Sequence, residues 1–212
     1  AIRWEFEDTC ITVSQDSDVR VVILTSSSPD FVSSALVNNF GLASSVSMIK
    51  QPVLGVIDDS AHGLGLELLL ASDVRICASK STFSMAHVAH GAIPSDGGTQ
   101  RLPRLVGQGR ALELILTGRV VGAQEALEMG MVHQVCDADP LKEAFCIAEK
   151  IAGHGPRAAQ YLKEAVYTGS DMTLRQGMSL EADMSVILQS TLDRIEGINS
   201  FLERRAPKFK GD

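Results

Sequence analysis

The stretch His62-Gly63-Leu64-Gly65-Leu66-Glu67 constrains this chain more than any other part of it. It follows the apolar run Val53-Leu54-Gly55-Val56-Ile57 and opens into Leu68-Leu69-Leu70-Ala71, an order that predicts strand, tight turn and helix. Glycines at 63 and 65 allow a sharp bend and a close approach of backbone to a ligand. The first amides of the helix have no internal partners and point outward as donors, so the turn suits an oxyanion. Glu67 sits just inside the helix among five leucines, surroundings in which a carboxyl is suited to proton transfer. A plain glycine connection with a solvent-facing Glu67 is the other reading of the same residues.

The rest of the chain sets this turn in an alternating pattern. Residues 1–15 carry a weak helical periodicity that gives way to Asp16-Ser17-Asp18. Val19 to Leu24 is β-branched and nearly continuous, as a strand buried on both sheet faces tends to be. Thr25 to Asp30 has turn chemistry. Val53–Ile57 and Val74–Ala78 predict strands flanking the turn and its helix, which implies a parallel pair with a right-handed crossover. Residues 81–85 form another short strand candidate. A helix is expected over 104–117, closed by Gly118, and another over 123–129. From Asp139 the pattern is helical, over 141–152, 157–167 and 173–202. The division expected is an α/β core over residues 1–135 and an α-helical region over 136–212, with no low-complexity linker.

Composition removes several classes of function. Across 212 residues, 45% apolar and 21% charged is ordinary for a globular chain, and a net charge of -7 argues against a general nucleic-acid surface. No apolar run approaches the roughly 18 residues of a membrane span. Cys10, Cys77, Cys136 and Cys146 show neither CxxC pairing nor histidines at zinc-finger spacing, which points to reduced thiols, a cytoplasmic setting and no metal site.

Specific motifs accompany the turn: Gln51-Pro52-Val53, Ala71-Ser72-Asp73-Val74-Arg75-Ile76, Gly97-Gly98-Thr99-Gln100-Arg101-Leu102-Pro103-Arg104, Leu116-Thr117-Gly118, residues 126–132 and the tail 201–209. From Val19 to Lys210 the chain resembles the crotonase superfamily, the enoyl-CoA hydratase/isomerase family. That resemblance implies a spiral β/α core with a helical C-terminal oligomerisation region, assembled as a homotrimer or homohexamer. It implies an acyl-CoA thioester as the ligand, with no nucleic acid or membrane as a partner. Coenzyme A belongs to the substrate, and no further cofactor is implied. The family's usual N-terminal strand pair has no counterpart, and only residues 35–51 separate Ser34 from Pro52 where the family carries a longer stretch. The expectation is that terminal or flexible pieces lie outside this sequence.

The resemblance also assigns roles. Two backbone amides hold the thioester oxygen as an enolate forms, which is stabilisation of charge developing in the transition state. By position they belong to Ala35, in Ser34-Ala35-Leu36, and to Leu64, which stands where the family has the middle of three glycines. Ser33, Leu36, His62, Gly63, Gly91 and Lys208 are placed against substrate or CoA. Family hydratases use two carboxylates, one for water and one for the α-proton. Glu67 matches the first, and His87 stands where a Pro-Glu pair is typical. His87 either carries protons in place of a carboxyl or is a hydrogen-bonded packing residue. Asp96 matches a position where some relatives place a catalytic aspartate, and it is equally a good N-cap for the helical stretch that follows. The function implied is hydration of an enoyl- or dienoyl-CoA. Double-bond isomerisation, or acyl-CoA binding without catalysis, are the alternatives.

Overall fold

The computed structural model describes residues 2–27 and 41–212. Helix α1 (Ile2–Gln15) leads into strand β1 (Val22–Leu24), and α2 (Leu42–Ser47) leads into β2 (Val53–Ile57). Next come β3 (Ser60–His62), α3 (Leu64–Leu70), β4 (Val74–Ala78), β5 (Thr82–Ser84) and a 3-10 turn over His87–His90. Helices α4 (Gly98–Val106) and α5 (Gln108–Thr117) precede β6 (Val121–Gly122), α6 (Ala123–Glu128) and β7 (Gln134–Cys136). Four helices complete the chain: α7 (Pro140–Ala152), α8 (Pro156–Ser170), α9 (Leu174–Gln189) and α10 (Leu192–Glu203).

Two sheets form among the described residues. The first is parallel, in the order β1-β2-β4-β7, and the second joins β3 to β5 in parallel and β5 to β6 antiparallel. Every residue of β2 is buried, as its unbroken apolar run requires. On one face α3 packs so closely that a Cβ added at Gly55 would lie 2.5 Å from Ser72 Oγ and 2.7 Å from Leu69 Cδ1. On the other, Leu141, Ala144, Ile147, Ala148 and Ile151 of α7 cover Leu54, Val56 and Ile76. Asp139 caps α7 by accepting from the Leu141 and Lys142 N–H groups, and Pro140 fits the first helical position, where no donor is needed.

Asp73 ties the start of β4 to the start of β2. Its N–H donates to the Val53 carbonyl at 2.8 Å, and its Oδ2 accepts from the Val53 N–H at 2.7 Å. Lys163 of α8 closes the corner, its Nζ 2.8 Å from Asp73 Oδ2 and donating to the Gln51 carbonyl at 3.0 Å. Helices α8 and α9 then cross at Gly169 and Gly177, where a Cβ on Gly177 would stand 3.5 Å from Gly169 Cα.

Several sequence expectations require correction. The strand expected over Val19–Leu24 with both faces buried is three residues long and half-buried. It pairs only with β2 among the described residues, so it stands at an edge of the sheet. The helix expected over 104–117 is two helices, because Gly107 adopts φ 85 and ψ 155, outside helical space, and ends α4 while starting α5. The stretch 173–202 breaks at Ser190-Thr191, where Thr191 caps α10 by accepting from the Arg194 N–H. β3 and β6 carry no strand signal of their own. The residues immediately before the turn therefore belong to the second sheet, and β2 belongs to the first. No helix among the described residues is long and apolar enough to cross a membrane.

Candidate active site

Gly63 adopts φ 53 and ψ -118, a conformation that L side chains rarely tolerate. This bend lets the chain leave β3 and enter α3 at once, while the Gly63 N–H donates to the Ser84 carbonyl of β5 at 2.9 Å. Leu64 is then the first residue of α3, where the N–H lacks an intrahelical acceptor, and its side chain is buried in the main core. Glu67 follows one turn later and is buried, with 1% exposure, on a helix whose every residue is buried. A solvent-facing Glu67 is thereby ruled out.

The two oxygens of Glu67 are in different situations. Oε1 accepts from the Asp96 N–H at 2.7 Å and from the Gly98 N–H at 2.8 Å. Oε2 has no hydrogen-bond partner and lies 3.7 Å from His87 Nε2. His87 opens the 3-10 turn and is also buried, and its Nδ1 has no partner. A buried polar atom that nothing bonds normally costs about 1–3 kcal/mol, so Glu67 Oε2, beside His87 Nε2, marks a site for a further hydrogen bond. Such a site suits a water molecule or the polar part of a substrate.

The turn that grips Glu67 depends on two glycines. Gly97 adopts φ 100, and a Cβ there would sit 2.1 Å from the folded-back Arg101 Nη1. A Cβ on Gly98 would meet Met85 Sδ at 2.8 Å and Pro94 Cβ at 2.9 Å. Asp96 is buried beside them, but its carboxylate turns away from Glu67 Oε2. Asp96 Oδ2 accepts from the Ala43 N–H at 2.7 Å and Oδ1 from the Ser44 hydroxyl at 3.2 Å. It therefore caps α2, from 53 positions along the chain, and α4 begins after Gly97 with no side-chain cap.

Of the other expected site residues, His62 and Gly91 end the elements next to Glu67 and His87. His62 Nδ1 lies 2.7 Å from Ser84 Oγ, at the end of the β3–β5 pairing. Gly91 closes the 3-10 turn at φ 69 and is exposed. Lys208 is held in the C-terminal tail, where its backbone N–H donates to Glu196 Oε1 at 2.7 Å, and its side chain is exposed. Ser33, Ala35 and Leu36, including the first expected oxyanion amide, lie outside the described residues. Ala43, Ser44 and Arg101 belong to the surroundings of the site without having been singled out. The Gly97-Gly98 pair was a visible signal, whereas nothing in the sequence near Ala43 pointed to Asp96. Among the described residues no group of three or more His, Cys, Asp or Glu is placed to hold a metal ion.

Comparison with known proteins identifies the family and the fold. Residues 37–212 match the family described as enoyl-CoA hydratase/isomerase. The chain is 31% identical over 211 residues to 2,3-dehydroadipyl-CoA hydratase of Escherichia coli, covering 92% of the chain and 83% of that protein. It is 38% identical over 166 residues to mitochondrial enoyl-CoA hydratase of Pongo abelii, covering 78% of the chain and 57% of that longer protein. The crystal structure of an enoyl-CoA hydratase from Bacillus anthracis superposes with a TM-score of 0.93 at 35% identity, covering 99% of the chain and 88% of that chain. The fold is therefore the crotonase-like α/β fold, and the chain belongs to the enoyl-CoA hydratase/isomerase family.

Proposed function

We propose that the chain hydrates an enoyl- or dienoyl-CoA thioester, with Glu67 and His87 as its two proton-handling groups. The observation that carries this reading is the open Glu67 Oε2, held facing His87 Nε2 at 3.7 Å while Oε1 is occupied by two amides. In the reaction proposed, water held at Glu67 Oε2 adds through oxygen to the β-carbon and gives a proton to that carboxylate. The double-bond electrons move towards the thioester, whose oxygen takes the charge as an enolate between the amides of Leu64 and Ala35. Protonated His87 supplies the α-proton as the enolate collapses, and Glu67 returns its proton to the imidazole. Water is thereby added across the double bond with both groups restored, and no metal or redox cofactor is required. Asp96 has both carboxylate oxygens engaged on α2, which favours His87 as the second group.

A second reading has support from the same atom. One carboxylate with a free oxygen suffices to move a proton between carbons, so isomerisation of a 3-enoyl to a 2-enoyl thioester also fits Glu67. Incubation with 2-enoyl, 3-enoyl and cyclic dienoyl thioesters in heavy-oxygen water separates the two. Label in a hydroxyacyl product supports hydration, double-bond migration without label supports isomerisation, and binding with no turnover across the panel would leave an acyl-CoA-binding relative.

The wider assignment follows from this one. We place Lys208 near the CoA phosphates, supported by the basic tail that also holds Arg204, Arg205 and Lys210. A homotrimer or homohexamer is proposed, supported by large apolar side chains left exposed on the C-terminal helices, including Leu162, Leu174, Val186, Phe201 and Leu202. The four free cysteines support a reducing, cytoplasmic setting.

A further inference from the structure

We propose that Asp96 is a positioning residue that locks α2 to the Glu67 carboxylate, so that the start of α2 and the acid/base group are held in one register. The inference rests on Glu67 acting as proposed above. Asp96 bonds in two directions at once: its N–H donates to Glu67 Oε1 at 2.7 Å, and its carboxylate accepts from Ala43 N–H at 2.7 Å and Ser44 Oγ at 3.2 Å. These groups come from three separate elements, the start of α2, the middle of α3 and the turn before α4.

Arg101 makes the same connection a second time. Its Nη1 donates to the Asp96 carbonyl at 2.7 Å, and its Nη2 donates to Ser47 Oγ at the far end of α2 at 3.3 Å. The guanidinium reaches that position only because Gly97 has no Cβ, which would lie 2.1 Å from Nη1. The turn is thus clamped to both ends of α2. With a six-residue helix, intrinsic stability is small, so its placement depends on such contacts. Through Asp96, displacement at the start of α2 is transmitted to the peptide N–H that orients Glu67.

A buried charge on a short helix end is costly unless fully bonded, and Asp96 meets that condition at both oxygens. Its carboxylate therefore serves geometry, and Glu67 Oε2 remains the open atom. Asparagine can keep the acceptor for the Ala43 N–H, whereas alanine cannot.

The test compares the full chain with Asp96→Ala and Asp96→Asn, with Asp96→Ser as the second break should Asp96→Ala fail to fold. Turnover of an enoyl-CoA is read as separate kcat and KM values, and amide hydrogen exchange is read at Ala43 and Gly98. For Asp96→Ala, kcat should fall about tenfold to a hundredfold with KM little changed, since small misplacement of a reacting group has effects of that size. Exchange should rise at Ala43 and also at Gly98, whose N–H bonds Glu67 and not Asp96. Asp96→Asn should bring kcat back to within about threefold of the parent, because the main acceptor is kept. An unchanged Gly98 amide or an unchanged kcat in the alanine and serine variants would overturn the proposal. So would an asparagine variant as inactive as Glu67→Gln, which would make Asp96 a proton carrier. Absence of turnover in the parent chain would instead remove the functional reading, and the coupling between Ala43 and Gly98 exchange would still decide whether Asp96 links the elements.

Discussion

Glu67 is a carboxylate with one oxygen fixed and the other open, and this asymmetry determines what its substitution should do. Glu67→Gln keeps an oxygen for the Asp96 and Gly98 amides but removes the base. Turnover should fall by about 10²–10⁴-fold while thioester binding, measured by isothermal calorimetry, stays largely intact. Near-normal turnover would remove the assignment. His87→Ala should lower kcat by about 10²-fold, and His87→Glu, which gives the two-carboxylate arrangement the family resemblance implies, should recover most of it. Equal loss in both His87 variants would count against a proton-handling role. Glu67 was legible in the sequence because turn, glycines and leucines lie next to it. The destination of the Asp96 carboxylate was not, because its acceptor role is set by Ala43 and Ser44, brought close only by tertiary folding. A local pattern of Asp followed by glycines and a helix reads as an N-cap, and here the cap is placed on a different helix.

At the scale of elements, close packing and tail anchoring can each be tested. Gly55→Ala pushes a methyl against Ser72 Oγ and Leu69 Cδ1, where the shortest approach is 2.5 Å. Overpacking of that kind costs about 1–3 kcal/mol, so the urea midpoint should fall; an unchanged midpoint would show that α3 can shift off β2 freely. The C-terminal tail is held partly by Glu196, whose carboxyl is lowered to about 2, first by the Arg205 side chain and next by the Lys208 N–H. The unfolded chain, with an ordinary value of 4.5, binds more protons than the folded one between those pH values. This stabilisation is therefore present above about pH 4.5 and lost as pH falls towards 2. The protection of the Lys208 amide against exchange, relative to an unstructured peptide at the same pH, should fall over that range in the parent and not in Glu196→Gln, where the tail is already loosened. The unbroken apolar run of β2 and the longer helical patterns of α7 and α8 were readable from sequence. β3 and β6 were not, because strands of two or three residues are defined by their neighbours, and the split of α4 from α5 depends on the backbone angles of Gly107.

For the whole molecule, the parallel pairing of β2 with β4 and the helical C-terminal region follow from the alternation that ends near Asp139. Large apolar side chains stay exposed on α8, α9 and α10, and extended patches of that kind mark interaction sites, which the proposed assembly would cover. Analytical ultracentrifugation should find a trimer or hexamer, and Leu162→Glu with Phe201→Glu should shift it towards smaller species. A monomeric parent chain would contradict the proposed assembly. The fold could be read from sequence further than the reaction could, because the core depends on many residues and the chemistry on a few whose partners are distant in the chain.

The central claim is that Glu67, with His87 opposite its free oxygen, adds water to an unsaturated acyl-CoA. Mass spectrometry of the product formed from a 2-enoyl-CoA in heavy-oxygen water tests it most directly. Label should appear in a hydroxyl on the β-carbon, formed by the parent chain and at least about a hundredfold more slowly by Glu67→Gln. Unlabelled product with a migrated double bond, or equal labelling rates in the two proteins, would contradict it.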